Sequence, residues 1–525
     1  MSLVELKDFG VAIEGATLLH GIDLAMAPGQ RVGIIGMTGS GKSVLARAAA
    51  GRLPEQAVLS GRSTLSLPAT PGDADGGAPP PSFSRAAVLL GADAADSLDP
   101  LRSIGAQLRS VLAEPASADQ TGDLLRDVGL VPGDATRYPA DLTVAQRRLA
   151  AIAIALASRP ALLVADEPTA GLDAVSQRVI ADLIDRHCRE HGMALLLVSH
   201  ELRLIAMLCD TVLVMQAGRI VEAATKADVL GQPRHEASRA LLAAGRQRGR
   251  TLMRAPIGAD LLMVRGVSRR FRLPDRSIVE PGRPVLALDD VGLTLRAGEA
   301  LALIGRSGAG KTVLARIVAG LERATKGQVQ LDHETYRGLD MPRPIRSQIG
   351  FVFPDPHTAF DPALTVGESV AAPLALDQQL EFDELGQRLL EVVRAVGLPP
   401  DLLNRLPHEL GAAELQRFAI ARALINHPRL IVLDEPLAAL DIVGRGEIVA
   451  LLSRLRADYG LTFLIATQDL DLVQIVADRA LVMERGRIVD SGPPVQLFEN
   501  PQHDATRALA MARLPEIGIV PVLQP

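Results

Sequence analysis

Short apolar runs alternate with stretches of helical period along the whole chain. RVGIIG at 31–36, ALLVAD at 161–166 and ALLLVSH at 194–200 are apolar at successive positions, so both faces of each strand call for burial. Between such runs, KSVLARAAAG at 42–51 and AVSQRVIADLIDRH at 174–187 repeat apolar residues at intervals of three and four, the period of an amphipathic helix. Strands apolar on both faces, interleaved with helices, predict a largely parallel sheet covered by helices.

This pattern is written twice. Asp166, Asp173, His200 and Pro233 recur 268 positions later as Asp434, Asp441, Gln468 and Pro501. The displacement is 269 between Gly36 and Gly305 but 262 between Asp99 and Asp361, so the copies carry different insertions. In the first copy the added length falls around 68–83, PATPGDADGGAPPPSF, too poor in apolar residues to order itself and predicted to be a mobile surface loop. The expected domains are 1–244 and 261–525, joined by a solvated linker over 245–260 that carries four arginines.

Composition changes this picture little. At 525 residues the chain exceeds what one core supports. Aromatic residues make up only 2% and tryptophan is absent, so Leu, Val, Ile and Ala must fill the cores. A net charge of −6 gives no global reason for binding nucleic acid or an acidic membrane. Two cysteines, Cys188 and Cys209, are too few for a disulfide framework and are expected to be buried and inert in a reducing compartment. The start, MSLVELKDFG, has no signal-peptide character, and no apolar run approaches the roughly 20 residues needed to span a bilayer.

Candidate chemistry lies at the strand ends. Gly36, Gly39, Ser40, Gly41, Lys42 and Ser43 form a phosphate-binding loop, G-x-x-x-x-G-K-S. Gly305, Gly308, Ala309, Gly310, Lys311 and Thr312 repeat it. Glycines let the backbone curl so that N–H groups and a helix N-terminus face a phosphate chain, while Lys42 and Lys311 neutralise charge. LLVADEP and LIVLDEP end apolar strands with paired carboxylates. Ser43 with Asp166, and Thr312 with Asp434, are candidate Mg2+ ligands. Glu167 and Glu435 are positioned to orient or deprotonate an attacking water.

On these motifs the chain resembles the nucleotide-binding domains of ABC transporters over nearly its whole length. The resemblance implies an α/β fold of two tandem P-loop domains, each with a RecA-like core and a helical subdomain, at about 92–155 and 354–422. It implies ATP and Mg2+ as cofactors, with each ATP held between one domain's glycine loop and the other's signature helix. The signature stretches here are Leu142-Thr-Val-Ala-Gln146 and Leu410-Gly-Ala-Ala-Glu414, and both depart from the family's L-S-G-G-Q. Thr143 keeps a hydroxyl. Gly411 has none, a loss of roughly 1.5–3 kcal/mol if one charge-assisted hydrogen bond goes with it. The lid glutamine of the family is replaced by Ala92 and Pro354. An adenine-stacking aromatic is expected at Phe271 in the second half, where the first half has Ile13.

In the family a histidine after the last core strand contacts the γ-phosphate, and His200 matches it. Gln468 stands in that place in the second copy and carries no positive charge, so the second site is expected to lose transition-state stabilisation. Asp173 and Asp441 resemble loops that communicate between domains, and a plain helix N-cap is the other reading. The endings PRHEASRALLAA and PQHDATRALAMA, with His235 and His503, resemble the ATPase subunits of oligopeptide, dipeptide and nickel importers. That resemblance implies a peripheral location at the cytoplasmic membrane face, two transmembrane permease subunits and an extracytoplasmic substrate-binding protein. The competing readings are an ATP-gated scaffold with negligible turnover, a ribosome-associated ABC protein, and a fused sugar-importer ATPase.

Overall fold

The computed structural model describes residues 2–65, 87–91, 97–112, 118–246, 256–272, 284–374 and 382–513. The expected loop at 68–83, the lid position Ala92 and most of the linker, 247–255, lie outside the described residues. The chain separates into two compact units, one running to Gly245 and the other Arg246–Arg513.

In the first unit, β1 (Val4–Ile13), β2 (Ala16–Met26) and β4 (Val58–Leu65) form an antiparallel sheet in the order β2-β1-β4. A second sheet combines β3 (Arg31–Gly36), β5 (Ala87–Leu90), β6 (Leu162–Asp166), β7 (Ala194–Val198), β8 (Thr211–Gln216) and β9 (Arg219–Thr225), in the order β5-β6-β7-β3-β8-β9. Every pair in it is parallel except β8 with β9. Every residue of β6 and β7 is buried, as expected of strands with helices on both faces. The core of this unit joins Val4, Leu6, Phe9 and Leu19 of the antiparallel sheet to Ile34, Leu45, Val164 and Leu196.

The second unit repeats the plan. Here β10 (Asp260–Arg272), β11 (Pro284–Arg296), β13 (Lys326–Leu331) and β14 (Glu334–Tyr336) form the antiparallel sheet. The strands β12 (Ala300–Ile304), β15 (Ile349–Val352), β16 (Leu430–Asp434), β17 (Thr462–Ala466), β18 (Arg479–Glu484) and β19 (Arg487–Gly492) form the other, in the order β15-β16-β17-β12-β18-β19. Phe418 and Phe463, both fully buried, anchor a core beneath its helices.

Helix ends follow local chemistry. Asp173 caps the helix Ala174–His191 by accepting from Ser176 N at 3.0 Å, and Gly192, left-handed at φ 63°, stops it. Asp441 and Gly460 do the same for Ile442–Tyr459. The N-cap reading of both aspartates therefore stands as an observed role. His235 and His503 accept from Ala237 N and Ala505 N through Nδ1, each at 3.1 Å, so those imidazoles cap the helices that follow them. The helix Glu236–Arg246 and strand β10 take up the outer parts of the expected linker.

Both cysteines are buried. Burial pushes the Cys188 thiol up to about 11, and it raises Cys209 further. Among the described residues no helix is long and apolar enough to cross a membrane.

Candidate functional site

Each unit brings its glycine loop and paired carboxylates to the C-terminal end of the parallel strands. In the first, the loop leaves β3 and runs into the helix Lys42–Ala49. Gly39 (φ 79°) and Gly41 (φ 96°) are left-handed, which a side chain would resist. A Cβ on Gly41 would come within 3.0 Å of Leu19 Cδ2, and one on Gly36 within 2.5 Å of Met215 O, so this cradle tolerates only glycine at its tightest points. Lys42 Nζ donates to Gly36 O (2.9 Å) and Met37 O (2.6 Å), which holds its charge over the loop. The helix has no side-chain N-cap, leaving its first-turn amides aimed into the cradle.

The second loop is the same device. Gly308 and Gly310 are left-handed (φ 80° and 104°), and a Cβ on Gly310 would meet Ala287 O at 2.6 Å. Lys311 Nζ donates to Gly305 O at 2.8 Å and Arg306 O at 3.1 Å. Ala309 is buried, its N–H donating to Arg306 O.

The aspartates sit beside the loops' hydroxyls. Thr312 Oγ1 donates to Asp434 Oδ1 at 2.9 Å, and Asp434 Oδ2 is buried with no hydrogen-bond partner. An orphaned carboxylate oxygen next to a hydroxyl is a hard-oxygen donor set that fits Mg2+. Burial pushes the Asp434 carboxyl above the usual range, against the pull of Thr312, Arg316 and Lys311. In the first unit burial likewise raises Asp166, opposed by a hydrogen bond from Ser43 and by Arg47 and Lys42. A divalent cation would relieve both carboxylates of that cost.

Next in sequence are the glutamates, and both adopt a backbone unusual for their residue type. Glu167 has φ 50° and Glu435 φ 44°, left-handed in each case. The two turns present the carboxyl groups differently. Glu167 Oε1 accepts from His200 N at 2.7 Å, with His200 Nε2 at 3.4 Å. Glu435 Oε2 accepts from Gln468 N (3.1 Å) and Thr467 Oγ1 (3.2 Å), while Oε1 is buried without a partner. Burial raises Glu435 first of all, Lys311 and Gln468 oppose it, and neighbouring Asp434 adds to it. The first unit thus sets an imidazole against its glutamate and the second a neutral amide.

Thr143 is the N-cap of the helix Val144–Ala157, its Oγ1 accepting from Gln146 N at 3.2 Å. The Val144 side chain lies outside the described residues. Gly411 occupies the N-cap of Ala412–Leu424 without a side-chain cap, its N–H donating to Glu414 Oε2 at 2.9 Å. Phe271, next to last in β10, has the Arg269 guanidinium 4.4 Å from its ring centroid, so one face is already covered by a cation. Ile13 packs against the first unit's core. Pro354 follows β15 and offers no donor.

One residue escaped the sequence reading. Arg148, in the helix that Thr143 caps, donates through Nη1 to Glu167 O at 2.5 Å. Two adjacent arginines on a helix gave no sign of which would turn inward.

The ABC transporter family model matches residues 19–170 and 288–438. The peptidoglycan transport ATP-binding protein YejF of Agrobacterium fabrum is 33% identical, the match covering 97% of this chain and 96% of that protein. The glutathione import ATP-binding protein GsiA of Escherichia coli K12 is 32% identical across 97% of this chain and 87% of that one. Among solved structures, a dimeric post-hydrolysis state of the ATP-binding cassette MJ0796 with ADP and Pi aligns at TM-score 0.40 and 28% identity, covering 45% of this chain and 99% of that chain.

Proposed function

The chain belongs to the ABC transporter family as two fused ATP-binding domains, an ATPase coupled to transport, and from that premise we propose that it energises an importer and hydrolyses ATP mainly in its first unit. The proposed solute class is peptides, a peptide-like small solute or nickel. The similarity to proteins named for peptidoglycan transport and glutathione import supports the peptide-like reading. The partners are two transmembrane permease subunits and an extracytoplasmic binding protein, with the chain peripheral on the cytoplasmic face.

Each glycine cradle would hold the phosphates of ATP through its amides and Lys42 or Lys311. Mg2+ would be held by Ser43 with Asp166, and by Thr312 with Asp434. When bound, the nucleotide and its metal supply an electrophilic phosphorus and a leaving group whose charge the cation offsets. Glu167 and Glu435 are the groups that would orient water and take its proton. His200 would place an imidazole donor where negative charge builds on the γ-phosphate, and Gln468 only an amide donor.

The observation that carries the asymmetry is the 3.4 Å approach of His200 Nε2 to Glu167 Oε1, for which the second unit has only an amide. Phosphate release by the full chain tests it. Glu167→Gln should remove most of the turnover and Glu435→Gln a minor part; the reverse order would overturn the assignment.

A further inference from the structure

We propose that Arg148 is a positioning residue for Glu167, anchoring the strained turn that aims the carboxylate. The inference rests on the reading that the first unit carries most turnover. Glu167 is held from several sides. Its N–H donates to Val198 O at 2.9 Å, its carboxylate accepts from His200 N at 2.7 Å, and its carbonyl accepts from Ala170 N at 3.2 Å. The Arg148 guanidinium adds a donor to that same carbonyl at 2.5 Å, from a side chain only 9% exposed. At φ 50° the residue occupies a sparsely populated backbone region that persists only where its surroundings hold it, so what grips the carbonyl helps fix the peptide plane from which the side chain departs. A guanidinium also brings a permanent positive charge to this turn, as an amide could not.

The second unit shows what the turn does without this contact. Its signature helix carries Gln416 at the position of Arg148, both four residues after the helix's first residue. Gln416 Nε2 donates to Pro436 O at 3.0 Å, one carbonyl further along, and Glu435 O receives Ala438 N at 3.1 Å. The duplicated helix therefore grips the catalytic residue itself in one copy and its neighbour in the other. Because Gln416 is buried as completely as a core residue, glutamine is sterically acceptable at this helix position.

The test uses the full chain with Glu435→Gln to silence the second unit. Arg148→Gln should lower kcat about tenfold while KM for ATP stays within about twofold, as expected for an interaction that orients rather than binds. Arg148→Lys, which keeps the charge but not the fork, should retain more of kcat than Arg148→Gln. In the nucleotide-free chain, hydrogen exchange of the Glu167, Thr169 and Ala170 backbone amides should quicken in Arg148→Gln with the melting temperature nearly unchanged. Unaltered exchange together with unaltered kcat, or a change confined to KM, would overturn the proposal. If Glu167→Gln itself spares turnover, the reading of the first unit fails, and the exchange rate alone then decides whether Arg148 anchors the turn. Should Arg148→Gln not fold, Arg148→Lys decides by the same two measurements: slower turnover with quicker exchange upholds the role, and parental values for both sink it.

Discussion

Replacing His200 by glutamine imposes on the first unit the chemistry already present in the second. The backbone hydrogen bond from residue 200 to Glu167 Oε1, 2.7 Å long, does not involve the side chain and survives. What disappears is an imidazole whose Nε2 lies 3.4 Å from the same oxygen and whose side chain is 26% exposed. A charge-assisted hydrogen bond contributes about 1.5–3 kcal/mol, and partial exposure places this one toward the lower end, about 1.5–2 kcal/mol. At about 1.4 kcal/mol per tenfold, kcat should fall roughly 10- to 30-fold. The loss belongs to the transition state, so KM for ATP should move less than about threefold. The assay is steady-state phosphate release by the full chain carrying Glu435→Gln. If His200→Gln leaves kcat within about twofold of that parent, the imidazole does not stabilise the transition state. If KM rises in proportion instead, its contribution is to binding alone.

Two further outcomes follow from the second unit. Gly411 has ordinary extended backbone (φ −72°, ψ 158°), and a Cβ there would meet nothing nearer than Glu414 Oε2 at 3.6 Å, so Gly411→Ser should complete the capping box seen at Thr143. The gain is about 0.5–1 kcal/mol, or roughly 1–4 °C in a thermal melt, and a lower melting temperature would contradict it. Because burial holds the Glu435 carboxyl above its ordinary range, the folded chain binds that proton more tightly than the unfolded chain does. The group's contribution is therefore complete below the ordinary carboxylate value and lost as pH rises through the raised one. Glu435→Gln should melt above the parent near pH 8 without nucleotide, with the difference gone near pH 4; a constant difference would contradict this.

The central strands β3, β6 and β7 were legible because they are apolar on both faces and each ends in a chemical motif that recurs at β12, β16 and β17. The antiparallel sheets were not read. In β2 the buried positions Ile22, Leu24 and Met26 alternate with exposed ones, but β1 breaks its alternation where Asp8 turns left-handed, and the register shifts there. For the site, glycine loops and acid pairs declare themselves by spacing, since local backbone geometry alone assembles them. Arg148 and Gln416 depend on how a helix packs over a turn 19 or 20 residues away, which no local pattern encodes. His235 and His503 illustrate the opposite case, a sequence signature whose observed contact is the start of the next helix.

The state of the two thiols has a practical corollary. A maleimide reacts with thiolate that it can reach, and Cys188 and Cys209 offer neither access nor ionisation near neutral pH. The natural chain therefore serves as its own silent background for site-directed labelling. A single cysteine introduced on each unit's surface would accept a spin label or a fluorophore pair without the native residues first being removed, and distances through a turnover cycle could be followed in otherwise unaltered protein.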